Sequence, residues 1–167
     1  MAGAPINPNP ADVINLSLGG PGGCIETWQT ALDFVSASAV VVVAAGNSNQ
    51  NVSSFAPANC ADVITVGATD RAGERSWFSN YGSRIDVMAP GGDLGEDLDS
   101  DGFPDGVLSL GYTSNFTYTF LQGTSMAAPH VTGVVALMKA LDPTVDTARA
   151  LEALRASATP LSNSACN

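Results

Sequence analysis

Along this chain, continuous apolar runs alternate with segments in which apolar residues return every third or fourth position. Asp12 to Leu18 is nearly all apolar and stops at Gly19-Gly20-Pro21-Gly22-Gly23, the pattern of a strand buried on both faces and then a turn. From Ile25 to Ala39, Trp28, Ala31, Leu32, Val35 and Ala39 recur at helical spacing, and Val40 to Ala45 is again a buried strand. Strand, helix, strand in that order is a βαβ unit, so the two strands run parallel and the crossover is right-handed. Val63 to Ala68 reads as a third strand and Arg84 to Met88 as a fourth, closed by Ala89-Pro90-Gly91-Gly92. Tyr112 to Leu121, with Tyr112, Phe116, Tyr118 and Phe120 among small polar residues, suits an antiparallel partner for Val107 to Leu110. A helix is expected from Ser125 to Ala140, broken by Asp142-Pro143. A last amphipathic helix then follows over Thr144 to Ser157, with Val145, Ala148, Leu151 and Leu154 on one face. Residues 1–11 hold three prolines and two asparagines without periodicity and read as a surface segment, and there is no internal repeat. The fold class is therefore α/β, a mainly parallel sheet flanked by helices.

Composition narrows what such a fold can do. The 167 residues are one domain's worth, and 45% hydrophobic against 13% charged supplies a sizeable core. A formal charge of −10, with six Lys and Arg in all, cannot assemble a phosphate-tracking face, so no nucleic-acid partner is expected. No apolar run approaches the ~20 residues of a membrane span, and residues 1–20 lack a charged and an apolar leader region. Neither a membrane partner nor a signal peptide is expected in this chain.

Ligands of parallel sheets bind at the carboxyl ends of the strands. Gly19-Gly20 and Gly46-Asn47 stand at two such ends, although an Asn there is by itself more often a turn residue. The most specific string is Gly123-Thr124-Ser125-Met126-Ala127-Ala128-Pro129-His130-Val131-Thr132-Gly133, a small-residue turn carrying a serine into the first turn of an apolar helix. Unpaired N–H groups at a helix start would stabilise an oxyanion formed beside Ser125; Gly123 admits a close backbone, and Thr124 is the expected N-cap. Taken alone, a serine near a helix start is more often a second capping residue.

The string from Gly123 to Val131 is similar to the nucleophile motif of the subtilisin-like serine proteases, the subtilases. Val40 to Asn47, ending in Ala-Gly-Asn, resembles that family's oxyanion strand, and Asp12 to Gly20 resembles its substrate-binding strand and turn. Ser76 to Gly82 resembles a further block of the family, read as structural. The resemblance runs from Asp12 to Ser157 and implies a three-layer subtilisin-like fold whose N-terminal part is missing, residues 1–167 being a partial catalytic domain. It also implies that Ser125 is the nucleophile and that Asn47 supplies half of the oxyanion hole. Ser17, Leu18, Gly19 and Gly20 with Ala44, Ala45 and Gly46 would then form the substrate-binding walls, small and uncharged, suited to large apolar side chains.

In subtilases the triad runs Asp, His, Ser along the chain, so both partners of the serine should precede the oxyanion strand. Neither is present. The one histidine, His130, lies five residues after Ser125, about 140° around the helix, and the resemblance implies a buried structural role for it. The expectation is thus a serine endopeptidase acting on polypeptides, present as a segment that is inactive or weakly esterolytic alone. It would pair with the missing N-terminal segment or, through uncovered edges, with a second copy. The alternative is a non-catalytic remnant that binds peptide or a partner chain.

Two further features bear on this. Six of the sixteen acidic residues fall within residues 93–105, where Asp97, Asp99, Asp101 and Gly102 reproduce the start of an Asp-x-Asp-x-Asp-Gly calcium loop. The twelfth-position Glu is absent; Asp105 and the Phe103 carbonyl would close a shorter Ca2+ loop, and the bland alternative is a solvated acidic insertion. Of three cysteines, Cys24 and Cys60 fall in loops beside the site and are paired on that ground, against the alternative of three reduced thiols. Cys166 would pair beyond Asn167, as in some secreted subtilases. Calcium, a disulfide and a lysine-poor acidic surface suit an extracellular, secreted bacterial protease.

Overall fold

The computed structural model describes residues 7–111 and 117–161. The expectations for Tyr112, Phe116 and Cys166 lie outside the described residues. The elements in order are β1 (Val13–Leu16), β2 (Gly20–Pro21), α1 (Glu26–Ser36), β3 (Val40–Ala44), β4 (Phe55–Ala56), β5 (Ile64–Thr69), β6 (Val87–Pro90), β7 (Val107–Leu110), β8 (Tyr118–Leu121), α2 (Thr124–Leu141) and α3 (Thr147–Ser157).

Four strands form a parallel sheet in the order β1-β3-β5-β6. The all-apolar composition of β3 follows from its central place: Val40, Val42 and Ala44 pack on one face with Ile64, Val66, Val131 and Val135, whereas Val41, Val43 and Ala45 pack on the other with Leu32, Val52 and Phe55. Side chains alternate across a strand, so a strand covered on both faces has no position left for a polar residue. Helices α2 and α3 cover the first face and α1 the second, which makes three layers. Two small antiparallel pairs, β2 with β4 and β7 with β8, stand outside the sheet.

The fourth strand lies later in the chain than its composition suggests. Arg84 turns outward to donate to the Asn59 and Cys60 carbonyls, Ile85 N–H closes a turn on Gly82 O, and the Asp86 carboxylate accepts the Thr65 N–H at 2.8 Å. Ladder pairing therefore begins at Val87 and runs through Pro90, which an edge strand tolerates because its outer N–H side is unpaired. The last helix starts three residues later than expected because Asp146 Oδ1 caps it, accepting from Arg149 N–H at 2.9 Å.

A candidate active site at the carboxyl ends of the strands

β1 and β3 end side by side, and the chain leaving each one lines a single crevice of about 230 Å3. Ser17, Leu18, Gly19 and Gly20 come from the exit of β1; Ala44, Ala45, Gly46 and Asn47 from the exit of β3; Thr124 and Ser125 from the start of α2. The structure thus brings together every serine, asparagine and wall residue singled out from the sequence. None of the lining residues is ionisable.

The start of α2 is built differently from the expectation. Thr124 is not the N-cap: the cap position is Gly123, with φ 145° and no side-chain cap. The Gly123 carbonyl passes so close to Gly91 that a Cβ there would stand 2.9 Å away. This frees the Thr124 side chain for the turn after β3. Its hydroxyl donates to Asn47 Oδ1 at 2.9 Å and accepts the Gly46 N–H at 3.0 Å, and Thr124 N–H donates to the same Asn47 Oδ1 at 2.8 Å. With Oδ1 holding two donors, the amide Nδ2 is the free end of Asn47, and Asn47 itself is solvent-exposed. Its orientation is fixed by a network rather than left to rotation.

Pro129 ties the helix to the first strand. A proline has no N–H, so it leaves the carbonyl four residues back without its helical donor. That carbonyl belongs to Ser125, and Ser17 Oγ fills the vacancy at 2.8 Å, while Ser125 Oγ donates to Ser17 O at 3.4 Å. The proline of the motif thus couples the exit of β1 to the start of α2.

His130 departs from its expected role. It is exposed, not buried; Nδ1 donates to the Met126 carbonyl at 2.8 Å, and the ring lines a separate groove with Leu121, Pro129 and Val107. The reason is that among the described residues no element packs over this side of α2, where Val134, Leu137 and Leu141 are exposed as well.

One site-building residue has no chemical signature in the sequence. Asn80, in the block read as structural, is completely buried and bonds to residues on both sides of Asn47. A buried amide is detectable from sequence only by its neighbours, here the small and aromatic residues around it.

In the acidic loop the structure gathers Asp97, Asp99 and Asp101, which offer carboxylate oxygens within 4.8 Å of one another, all exposed. Asp105 is not with them. It is buried, accepting Leu98 N–H on Oδ2 and Arg71 Nη1 on Oδ1, and Arg71 also pairs with Asp99 at 2.5 Å. Phe103 donates its N–H to Asp101 Oδ1, and its ring lies 5.9 Å from that of Phe120. Cys24 and Cys60 are joined in a disulfide, with Cα atoms 5.1 Å apart, fastening the Gly-rich β1 exit to the loop before β5.

The subtilase family model matches residues 1–167. The chain belongs to the subtilase family. It is 49% identical over 155 residues to an extracellular protease of Xanthomonas campestris, covering 92% of this chain and 25% of that protein. It is 44% identical over 161 residues to subtilisin DY of Bacillus licheniformis, covering 93% of this chain and 53% of that protein. A solved structure of a protease from Pseudoalteromonas arctica superposes with a TM-score of 0.89 at 42% identity, over 100% of this chain and 50% of that one. A cold-adapted subtilisin-like serine proteinase gives 0.74 at 32% identity over 90% of this chain and 50% of that one. The chain therefore spans between a quarter and about half the length of these relatives.

Proposed function

We propose that this chain is the nucleophile and oxyanion-hole half of a serine endopeptidase catalytic domain. The observation that carries the reading is the Thr124–Asn47 clamp, which turns Asn47 Nδ2 free-end outward in the crevice that holds Ser125. Ser125 Oγ attacks the substrate carbonyl carbon, and the C–O bond that forms pushes the π electrons onto the carbonyl oxygen. Asn47 Nδ2 and the Ser125 N–H receive that oxyanion, the neighbouring N–H groups of Gly123, Thr124, Met126 and Ala127 being already paired. Collapse expels the amine and leaves an acyl ester on Ser125, which water hydrolyses. The proton from Ser125 Oγ needs a base that then delivers it to the departing amine, and none of the described crevice residues is ionisable, so the base and its orienting carboxylate are assigned to a preceding segment. The open edge of β1 and the uncovered face of α2 support docking of that segment, or pairing with a second copy in its absence.

The walls, small and uncharged, favour large apolar side chains in the substrate. Asp97, Asp99 and Asp101 form an exposed oxygen-only donor set suited to Ca2+, of which Asp99 also pairs with Arg71, whereas Asp105 is buried against Leu98 N–H and stands outside it. The disulfide, together with relatives named as extracellular proteases, supports secretion.

The absence of ionisable crevice residues is also the observation that favours the second reading, a peptide-binding remnant. A fluorophosphonate probe and a segment-addition assay separate the two. Peptide cleavage gained on adding the preceding segment and lost in Ser125→Ala is the expected result. No cleavage and no labelling of Ser125 after mixing would leave the remnant.

A further inference from the structure

We infer that Asn80 is a positioning residue for the oxyanion donor, a role that rests on the peptidase reading for its rate consequence but not for its geometry. Asn80 touches neither the crevice nor Ser125; it lies beneath the turn that presents Asn47, completely buried. Its side chain accepts Ser48 N–H at 3.1 Å and Gln50 N–H at 3.0 Å on Oδ1 and donates from Nδ2 to Ala45 O at 2.8 Å, while its own N–H donates to Gly46 O at 2.9 Å. Residues 45, 46, 48 and 50 are thus all held by one residue, and Asn47 is flanked on both sides by residues so held.

The chemistry specifies an amide. Two N–H donors converge on one terminal atom and a carbonyl faces the other, so the group must present an acceptor and a donor side by side. Aspartate would set a carboxylate oxygen against the Ala45 carbonyl, and alanine would remove the partner of three backbone groups, of which the Ala45 carbonyl is buried. The fit is tight as well. A Cβ on Gly46, whose φ is +102°, would stand 2.5 Å from Asn80 Nδ2, so the turn and the amide occupy each other's only space.

On the far side, Thr124 holds Asn47 Oδ1. Asn47 is therefore gripped by its side chain from α2, and the backbone of its neighbours on both sides is held by Asn80. An oxyanion donor stabilises a transition state only if it is already aimed before charge develops, because reorientation would consume the gain. Losing the backbone grip should reduce what Asn47 contributes without changing how substrate binds.

The test is a double-mutant cycle in the chain completed with its preceding segment. Asn47→Ala is expected to lower kcat by about 10²–10³-fold, the usual cost of one such donor. Asn80→Asp and Asn80→Ala should each lower kcat about tenfold or more with KM within about twofold, and should cost under about twofold further once Asn47 is already alanine. Equal losses in both backgrounds would overturn the inference, since a merely structural residue acts regardless of Asn47. Amide hydrogen exchange on the chain as it stands reads the same grip without turnover. Ser48 and Gln50 should be protected, and the Asn80 variants should release residues 45–50 selectively; unchanged rates there, or equal release of the whole sheet, would overturn it. If the completed wild-type chain cleaves nothing, the peptidase reading fails while exchange still decides the role of Asn80. If neither variant folds, wild-type Ser48 and Gln50 must match β3 and β5 in protection, and exchange at open-loop rates refutes the grip.

Discussion

Gly46→Ala concentrates the structural argument into one methyl group. Gly46 has φ +102°, a region that L side chains rarely enter, and forcing a residue there costs about 1–3 kcal/mol. The added Cβ would also stand 2.5 Å from Asn80 Nδ2 and 3.2 Å from Phe55 Cδ1. Neither neighbour yields freely, because Asn80 is held by three side-chain hydrogen bonds and Phe55 packs in the α1-side core. Displacing the amide weakens at least one buried hydrogen bond, a further ~1–2 kcal/mol. The sum is a loss of about 2–5 kcal/mol, which at a urea m-value of about 2 kcal/mol/M lowers the midpoint by roughly 1–2.5 M. Gly20→Ala is the control, since a Cβ there meets nothing within 4 Å, and it should stay within about 1 kcal/mol of the parent. The assay is equilibrium urea unfolding followed by far-UV circular dichroism, with m unchanged. A Gly46→Ala midpoint within about 0.3 M of the parent would refute the reasoning, for it would mean that the turn relaxes without the Asn80 grip.

Other measurements probe other parts of the fold. Two carboxylates should give opposite pH slopes: burial raises Asp86 above 3.8 despite the Thr65 N–H and Arg155, so its contribution is full below 3.8 and is lost as pH rises through the raised value. Removing a favourable charge with Arg155→Ala should move the Asp86 titration higher still, as read by carboxyl NMR; a lower value would contradict the assignment. The Thr144 hydroxyl and N–H, with Arg149, hold Asp142 down at about 2, so its contribution is present above 3.8 and is lost as pH falls toward 2. Thr144→Val should bring the Asp142 titration back toward 3.8. Removing the disulfide with Cys24→Ser and Cys60→Ser opens a 36-residue loop and should cost about 2–4 kcal/mol by thermal unfolding; no change in Tm would argue against a native bridge. Millimolar Ca2+ should raise Tm relative to EDTA through Asp97, Asp99 and Asp101, and coincident melting curves would remove the calcium proposal.

The parts of the fold legible in the sequence are those governed by a period or by a string. The all-valine stretch of β3 has one reading, a strand covered on both faces, and the structure packs alternate valines into two separate cores. The Gly-Thr-Ser string and the Ala-Gly-Asn turn fall at the ends of α2 and β3, so the sheet topology brings them together without further specification. Side-chain traffic was not legible. Thr124 reads locally as a cap, but a partner seventy-seven positions away claims its hydroxyl. His130 reads as buried by resemblance, but burial depends on what packs over α2, which the residue itself does not encode. Asp105 extends the acidic spacing, but its carboxylate is buried and pairs with the exposed Arg71 from a distant turn.

These partners divide the chemistry of the site in a definite way. Everything that orients the electrostatic half is local to this chain: Asn80 and Thr124 fix Asn47, Ser17 fills the carbonyl vacated by Pro129, and Gly123 admits the close approach of Gly91. None of these contacts involves a titrating group, so the proposed oxyanion pocket is assembled at any pH at which the sheet is folded. The proton-transfer half has no representative in the crevice. Electrostatic stabilisation and proton transfer are separable contributions, and a site with only the first still polarises a bound carbonyl. Under the proposed function, completion by a preceding segment adds a base to a pocket already formed, and need not reorganise it. A structure of the completed domain in which the Asn47 amide adopts a different rotamer would show instead that the pocket forms only on assembly.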